Sequence, residues 1–225
     1  GKTVLVLRVS ERARVSDTLR VAVPHLRFVR GQPRLTLKRL SRRDPRYNFS
    51  DPRGVKASGK SEKATMFLTS ISHLRLAWSE DGVRFRTEER PWLFPSTPEE
   101  AWGCEDARVT KLREQYWVNY TAVSSLGIST ALASTKTFET VQRHGIIFAP
   151  ANRNITIFPQ KIGGQYAAFH RPMPAFIGGD NIWYATSPDL LHWGKHRFVA
   201  APRPGRWDGW KIGGGTPPIR TKVGW

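Results

Sequence analysis

Apolar and polar residues alternate in short runs along most of the chain, and no stretch holds a 3.6-residue period for three helical turns. Strand-like Glu105-Asp-Ala-Arg-Val-Thr110 and Tyr116-Trp-Val-Asn-Tyr-Thr-Ala122 flank a turn within Lys111–Tyr116. Ile155-Thr-Ile-Phe-Pro-Gln160 and Tyr166-Ala-Ala-Phe-His170 flank a matching turn within Lys161–Tyr166. Both read as hairpins. Turn residues fall between such runs at Glu80-Asp-Gly82, Gly163-Gly164 and Ser187-Pro-Asp189. The pattern predicts an all-β protein of short strands.

A longer periodicity organises those strands. Ala77-Trp-Ser-Glu-Asp81 with Phe85, Ala133-Ser-Thr-Lys-Thr137 with Val141, and Ala185-Thr-Ser-Pro-Asp189 with Trp193 share one pattern at offsets of 56 and 52 residues. That period suits a propeller blade and is too long for most helical repeats. Nine tryptophans are available to fill the space between sheets. A β-propeller is therefore expected over a sandwich, which would carry turns but no blade-length repeat. The chain has room for about four blades. Pro218-Ile-Arg-Thr-Lys-Val-Gly-Trp225 reads as the start of another hairpin, which predicts that the chain stops inside a blade.

Composition adds one unusual feature. Among 225 residues, 36 Lys and Arg face 18 Asp and Glu, a net +18. Residues 1–60 hold 16 of the basic and 4 of the acidic side chains, so the surplus is concentrated there. Such a segment could neutralise phosphates of a nucleic acid, but no helix-turn-helix, RNP or zinc-finger pattern accompanies it, and a solvated, partly mobile segment is the simpler expectation. A single cysteine, Cys104, excludes an internal disulfide, and the six histidines show no metal-ligand spacing, so no metal site is expected. No apolar run is long enough to span a membrane as a helix, and the first residues lack a signal peptide, so a cytoplasmic protein without membrane contact is expected.

An ordered series of motifs then carries a resemblance. It comprises Gly103-Cys-Glu-Asp-Ala-Arg108, Asn152-Arg-Asn154 leading into Ile157-Phe-Pro-Gln-Lys-Ile162, His170-Arg-Pro172, Ser187-Pro-Asp-Leu-Leu-His-Trp193 and Trp207-Asp-Gly-Trp-Lys-Ile-Gly-Gly-Gly-Thr-Pro-Pro218. From about Ser72 to Trp225 the chain resembles glycoside hydrolase family 130, the β-mannoside phosphorylases. Val4-Leu-Val-Leu-Arg8-Val9 is a weaker echo. The resemblance implies a five-bladed propeller, here incomplete, whose blades occupy residues 64–225 and follow a basic, divergent segment 1–63 holding first-blade strands. It implies phosphorolysis of β-mannosides, of the β-1,4-mannooligosaccharide or mannosyl-glucose type, giving α-mannose 1-phosphate with inversion. Phosphate would be the co-substrate, with no other cofactor.

By the same resemblance Asp106 is the catalytic acid, passing its proton through the mannose 3-hydroxyl. Arg153, Asn154, Arg171 and Lys211 are the expected phosphate ligands; Glu105, His170 and Asp208 are candidate sugar contacts. His170 is alternatively a residue that orients Arg171. The chemistry agrees: phosphate is already an anionic nucleophile, so the site needs an acid and cations rather than a second carboxylate to activate water. Without the resemblance, Asp106 reads as a turn cap or a partner of Arg108, and the arginines as solvated surface. Departures are Ala107 where the family usually has proline, Cys104 at an aliphatic position, no recognisable Asn-Pro motif near the start, and no Tyr-His-Gly motif. A non-catalytic carbohydrate-binding propeller, a β-mannoside hydrolase and a nucleic-acid binder are the rival readings, and the oligomeric state, homo-oligomer included, stays open. Expressed alone, the chain is expected to be aggregation-prone and essentially inactive.

Overall fold

A computed structural model describes residues 1–14, 17–59, 64–174 and 176–225. The boundary anticipated after residue 63 adjoins residues 60–63, which lie outside the described ones. The protein is all-β: among the described residues no α-helix occurs, so none is long and apolar enough to cross a membrane. Contacts divide the chain into two compact units, Gly1–Glu105 with Ala122–Gly127, and Asp106–Thr121 with Ile128–Trp225.

In the first unit β1 (Thr3–Arg12) pairs antiparallel with β7 (Ser70–Ser79) along its whole length, from Thr3 opposite Ser79 to Arg12 opposite Ser70. Between them in sequence lie the hairpin β2 (Arg20–Val29) and β3 (Gln32–Ser41), and a three-stranded sheet of β4 (Tyr47–Asn48), β5 (Gly54–Ala57) and β6 (Thr65–Leu68). β8 (Arg86–Thr87) borders β7. Val23, Leu40 and Val55 form a small core here, with Tyr47, Phe49 and Phe67 against it. The basic segment, expected to be partly mobile, is instead mostly strand, because its apolar residues alternate well enough to build this core. Its charge stands outward: Arg27 and Arg34 sit directly opposite each other and are both exposed.

The second unit holds most of β9 (Gly103–Leu112) and β10 (Gln115–Ser124), followed by β11 (Gly127–Thr135) and β12 (Gln142–Phe148), which neighbour one another in chain order. A four-stranded antiparallel sheet follows, β13 (Asn152–Ile157), β14 (Tyr166–Pro172), β15 (Ile182–Ser187) and β16 (Gly194–Ala200), again in chain order. Both expected hairpins are present, as β9–β10 and β13–β14. Leu132, Ile155, Ile157, Ala168 and Leu190 form the core, and Trp117, Tyr166 and Trp193 pack against it.

The sequence repeat has a local cause. Ala77, Ala133 and Ala185 are buried near the ends of β7, β11 and β15. The hydroxyl two residues later, from Ser79, Thr135 or Ser187, accepts the backbone N–H of Gly82, Phe138 or Leu190, three residues further on. Asp81 and Asp189 then accept from the backbone N–H groups two and three residues after each. The repeated residues thus saturate the orphan amides of the turn that leaves each strand.

Candidate active site

β13 is an edge strand of its sheet, and its outward carbonyls are satisfied by side chains of three other strands. Thr110 of β9 donates to the Ile157 carbonyl, Asn119 of β10 to Ile155, and Thr130 of β11 to Asn152. These buried bonds fix β13 beside β9. Arg153 of β13 consequently reaches Asp106 of β9: its Nη2 donates to Asp106 Oδ2 at 3.0 Å, with about a quarter of each side chain exposed.

Local backbone shape aims these groups. Asp106 has φ +49° and Asn154 has φ +55°, in the left-handed region that Asp and Asn enter more readily than other non-glycine residues. The β13–β14 register shifts between Arg153 and Thr156, so a bulge accompanies Asn154. Arg108 holds the other side of the bend, donating from Nη1 to the carbonyls of Asp106 at 2.9 Å and Ala107 at 3.3 Å.

Arg171 of β14 lies directly across from Arg153 in the antiparallel register, which places both side chains on one face. Arg171 is buried, and burial pulls its proton affinity down; nearby Asp180 raises it and Arg153 lowers it again. The Nε groups of Arg108, Arg153 and Arg171 are all buried without an acceptor. Two arginines on one face of the sheet form a donor set that suits an anion with several oxygen acceptors.

The glycine run after Lys211 closes on this site. A Cβ on Gly213 would stand 2.8 Å from Asn154 Nδ2 and 3.2 Å from Arg171 Nη1, and one on Gly214 would be 2.5 Å from Thr156 Cγ2. Only glycine permits that approach. Lys211 itself is exposed, two residues short of the contact.

The three candidate sugar contacts are placed differently. Glu105 is buried in the first unit, where Ser72 Oγ and Arg8 Nη2 both donate to its Oε1. His170 is buried, stacked on Phe148; Asn152 Nδ2 approaches its Nδ1 at 3.0 Å and His196 Nδ1 approaches its Nε2 at 3.0 Å. Both ring nitrogens are thus engaged within the protein. Burial, with a smaller effect of His196, lowers the His170 pKa to about 4, so the ring is neutral at pH 7. Asp208 takes the Nε of Arg203 at 2.8 Å on Oδ2, while its buried Oδ1 has no donor. Cys104 is wholly buried. Among the described residues no group of His, Cys, Asp and Glu is arranged to hold a metal ion. Sequence reasoning missed Arg8 and the main-chain role of Arg108, because each acts through a partner whose position is set by the fold.

Comparison with known proteins identifies the family. The model of glycoside hydrolase family 130, described as beta-1,4-mannooligosaccharide phosphorylase, matches residues 64–225. A beta-1,2-mannobiose phosphorylase of Listeria innocua is 42% identical over the whole chain, which spans 62% of that protein. A 1,2-beta-oligomannan phosphorylase of Thermoanaerobacter is 34% identical over 158 residues, covering 69% of the chain and 51% of that protein. Among solved structures, the Listeria innocua phosphorylase in complex with beta-1,2-mannobiose superposes on the whole chain with a TM-score of 0.92 at 41% identity, over 63% of its own length. A Bacteroides ovatus glycosyl hydrolase, at 22% identity and a TM-score of 0.61 over 91% of the chain, shares the fold. The chain belongs to glycoside hydrolase family 130.

Proposed function

We propose that this chain carries the acid and the phosphate-binding arginines of a β-mannoside phosphorylase. The observation that carries the reading is the juxtaposition of Asp106, Arg153 and Arg171: a carboxyl group paired with one arginine, and a second arginine directly across the strand pair. Inorganic phosphate bound there attacks the anomeric carbon of the mannosyl unit as the bond to the leaving sugar oxygen breaks. Asp106 supplies the proton that oxygen needs, through the mannose 3-hydroxyl. The product is α-mannose 1-phosphate, with inversion. Phosphate also competes with Asp106 for the Arg153 fork.

Asn154 and Lys211 complete the phosphate contacts in this reading. Asp208 is the sugar contact of this reading. His170 acts from behind, as a buried support of the strand that bears Arg171. The two sheets of the second unit are blades of a five-bladed ring in the whole protein.

The linkage we favour is β-1,2, because the relative matched over the whole chain is a beta-1,2-mannobiose phosphorylase. The family description and a beta-1,4-mannooligosaccharide phosphorylase of Ruminococcus albus, 33% identical over 159 residues, support β-1,4 more weakly. Comparing mannose 1-phosphate release from β-1,2- and β-1,4-mannobiose, over the protein's whole reading frame, tests the choice. Preference for the β-1,2 disaccharide is expected; a preference for β-1,4 reverses the assignment, and absence of the phosphate ester from both leaves a hydrolase if free mannose appears and a sugar-binding protein if it does not.

A further inference from the structure

Arg108 carries one observation that its place in a family motif does not explain. Its guanidinium reaches two segments remote in sequence. Nη1 donates to the carbonyls of Asp106 and Ala107, and Nη2 makes a long contact of 3.5 Å with the carbonyl of Gly214. Gly214 leaves no room for a side chain: a Cβ there would stand 2.5 Å from Thr156 Cγ2 and 2.7 Å from the Asn154 carbonyl oxygen. At its neighbour Gly213 a Cβ would stand 2.8 Å from Asn154 Nδ2 and 3.2 Å from Arg171 Nη1. A closed circuit results, running from Arg108 to the main chain of Asp106, through the Asp106 carboxylate to Arg153, across to Arg171, and back through Gly213 and Gly214.

We propose that Arg108 is a positioning residue that locks the main chain of Asp106 to the glycine run, setting together the direction of the acid and the shape of the phosphate site. The proposal rests on the phosphorylase reading of the same residues. Its physical basis is that one guanidinium donates to two successive carbonyls at the left-handed bend of Asp106, φ +49°, and also reaches the Gly214 carbonyl. A planar fork can serve carbonyls on two segments at once, whereas an ammonium is a single point donor without that geometry. No role in touching phosphate or sugar is required of Arg108.

The test uses Arg108→Met and Arg108→Lys in the protein over its whole reading frame, with Asp106→Asn as reference. Inorganic phosphate affinity is measured by calorimetry, and kcat and the phosphate KM by mannose 1-phosphate formation, all per folded molecule. Displacing a reacting group by roughly 1 Å costs on the order of 10²-fold, so Arg108→Met should lower kcat by about 10- to 100-fold. Phosphate affinity should also weaken, and Arg108→Lys should restore only part of either loss. A merely structural role would reduce the folded fraction and leave kcat, KM and affinity per folded molecule unchanged, which overturns the proposal. If Arg108→Met does not fold, the lysine variant decides: wild-type kcat and phosphate affinity sink the idea, and a joint loss supports it. A wild-type protein that binds phosphate but makes no ester refutes the phosphorylase reading alone, since the effect of Arg108 on phosphate affinity still decides the inference. A protein that binds no phosphate overturns both.

Discussion

Two arginines directly across a strand pair would be expected to repel, and β13–β14 tolerates them because Asp106 pairs with Arg153 and nearby Asp180 favours the charge on Arg171. Arg171→Lys keeps the charge but loses the planar fork, so it should raise the phosphate KM several-fold while changing mannoside affinity little. Separate titrations of phosphate and mannobiose check this, and an unchanged phosphate KM with weaker sugar binding would reassign Arg171 to the sugar. His170 gives a second expectation. Its pKa of about 4 in the folded protein lies below its ordinary 6.5, so between those values the unfolded chain binds the extra proton. The stability it contributes is therefore fully present above pH 6.5 and is lost as the pH falls toward 4. Denaturant midpoints should hold level from pH 7.5 to 6.5 and then decline, with a shallower decline in His170→Gln; equal slopes for the two proteins would place the titrating group elsewhere.

Strands and turns were legible in the sequence to the extent that their causes are local. The hairpins at Lys111–Tyr116 and Lys161–Tyr166 could be read because a basic residue and an aromatic five positions later bracket a tight turn. In the structure Lys111 lies over the Tyr116 ring at 5.5 Å, and Lys161 over Tyr166 at 4.6 Å. The C-terminal segment follows the same rule, with Arg220 over Trp225 at 5.4 Å and Thr221 bridged to Gly224. What local pattern cannot carry is pairing across long stretches of chain. β1 finds β7 across the intervening β2–β6, and no repeat announces it. The same holds for the site: Asp106, Arg153 and Arg171 stood out as motif residues, but the long contact of Arg108 with Gly214 spans 106 positions and depends on glycines crowded against Asn154 and Thr156. The β2–β3 hairpin supplies a test at this scale. Arg34→Glu would set a carboxylate opposite Arg27 in place of a like charge, and should stabilise the protein by ~0.2–1 kcal/mol at low salt. Unfolding transitions at low and high salt would register it, and a loss of stability would mean that the two side chains do not meet.

Across the whole molecule, charge and chemistry are unevenly distributed. The excess of Lys and Arg is concentrated in residues 1–60, on strands whose outward face is basic, while Asp106, Arg153 and Arg171 belong to the second unit. The chain spans 62% of the Listeria innocua relative, so its activity is a property to be measured in the protein over its whole reading frame. The most direct measurement is proton and phosphorus NMR of that protein with β-1,2-mannobiose, with and without inorganic phosphate. If Asp106 is the acid and the paired arginines hold phosphate, each disaccharide cleaved yields one α-mannose 1-phosphate and one free mannose. Cleavage should stop without phosphate, and Asp106→Asn should slow it by about 10²- to 10⁴-fold. Two free mannoses per disaccharide, at a rate indifferent to phosphate, would contradict the account.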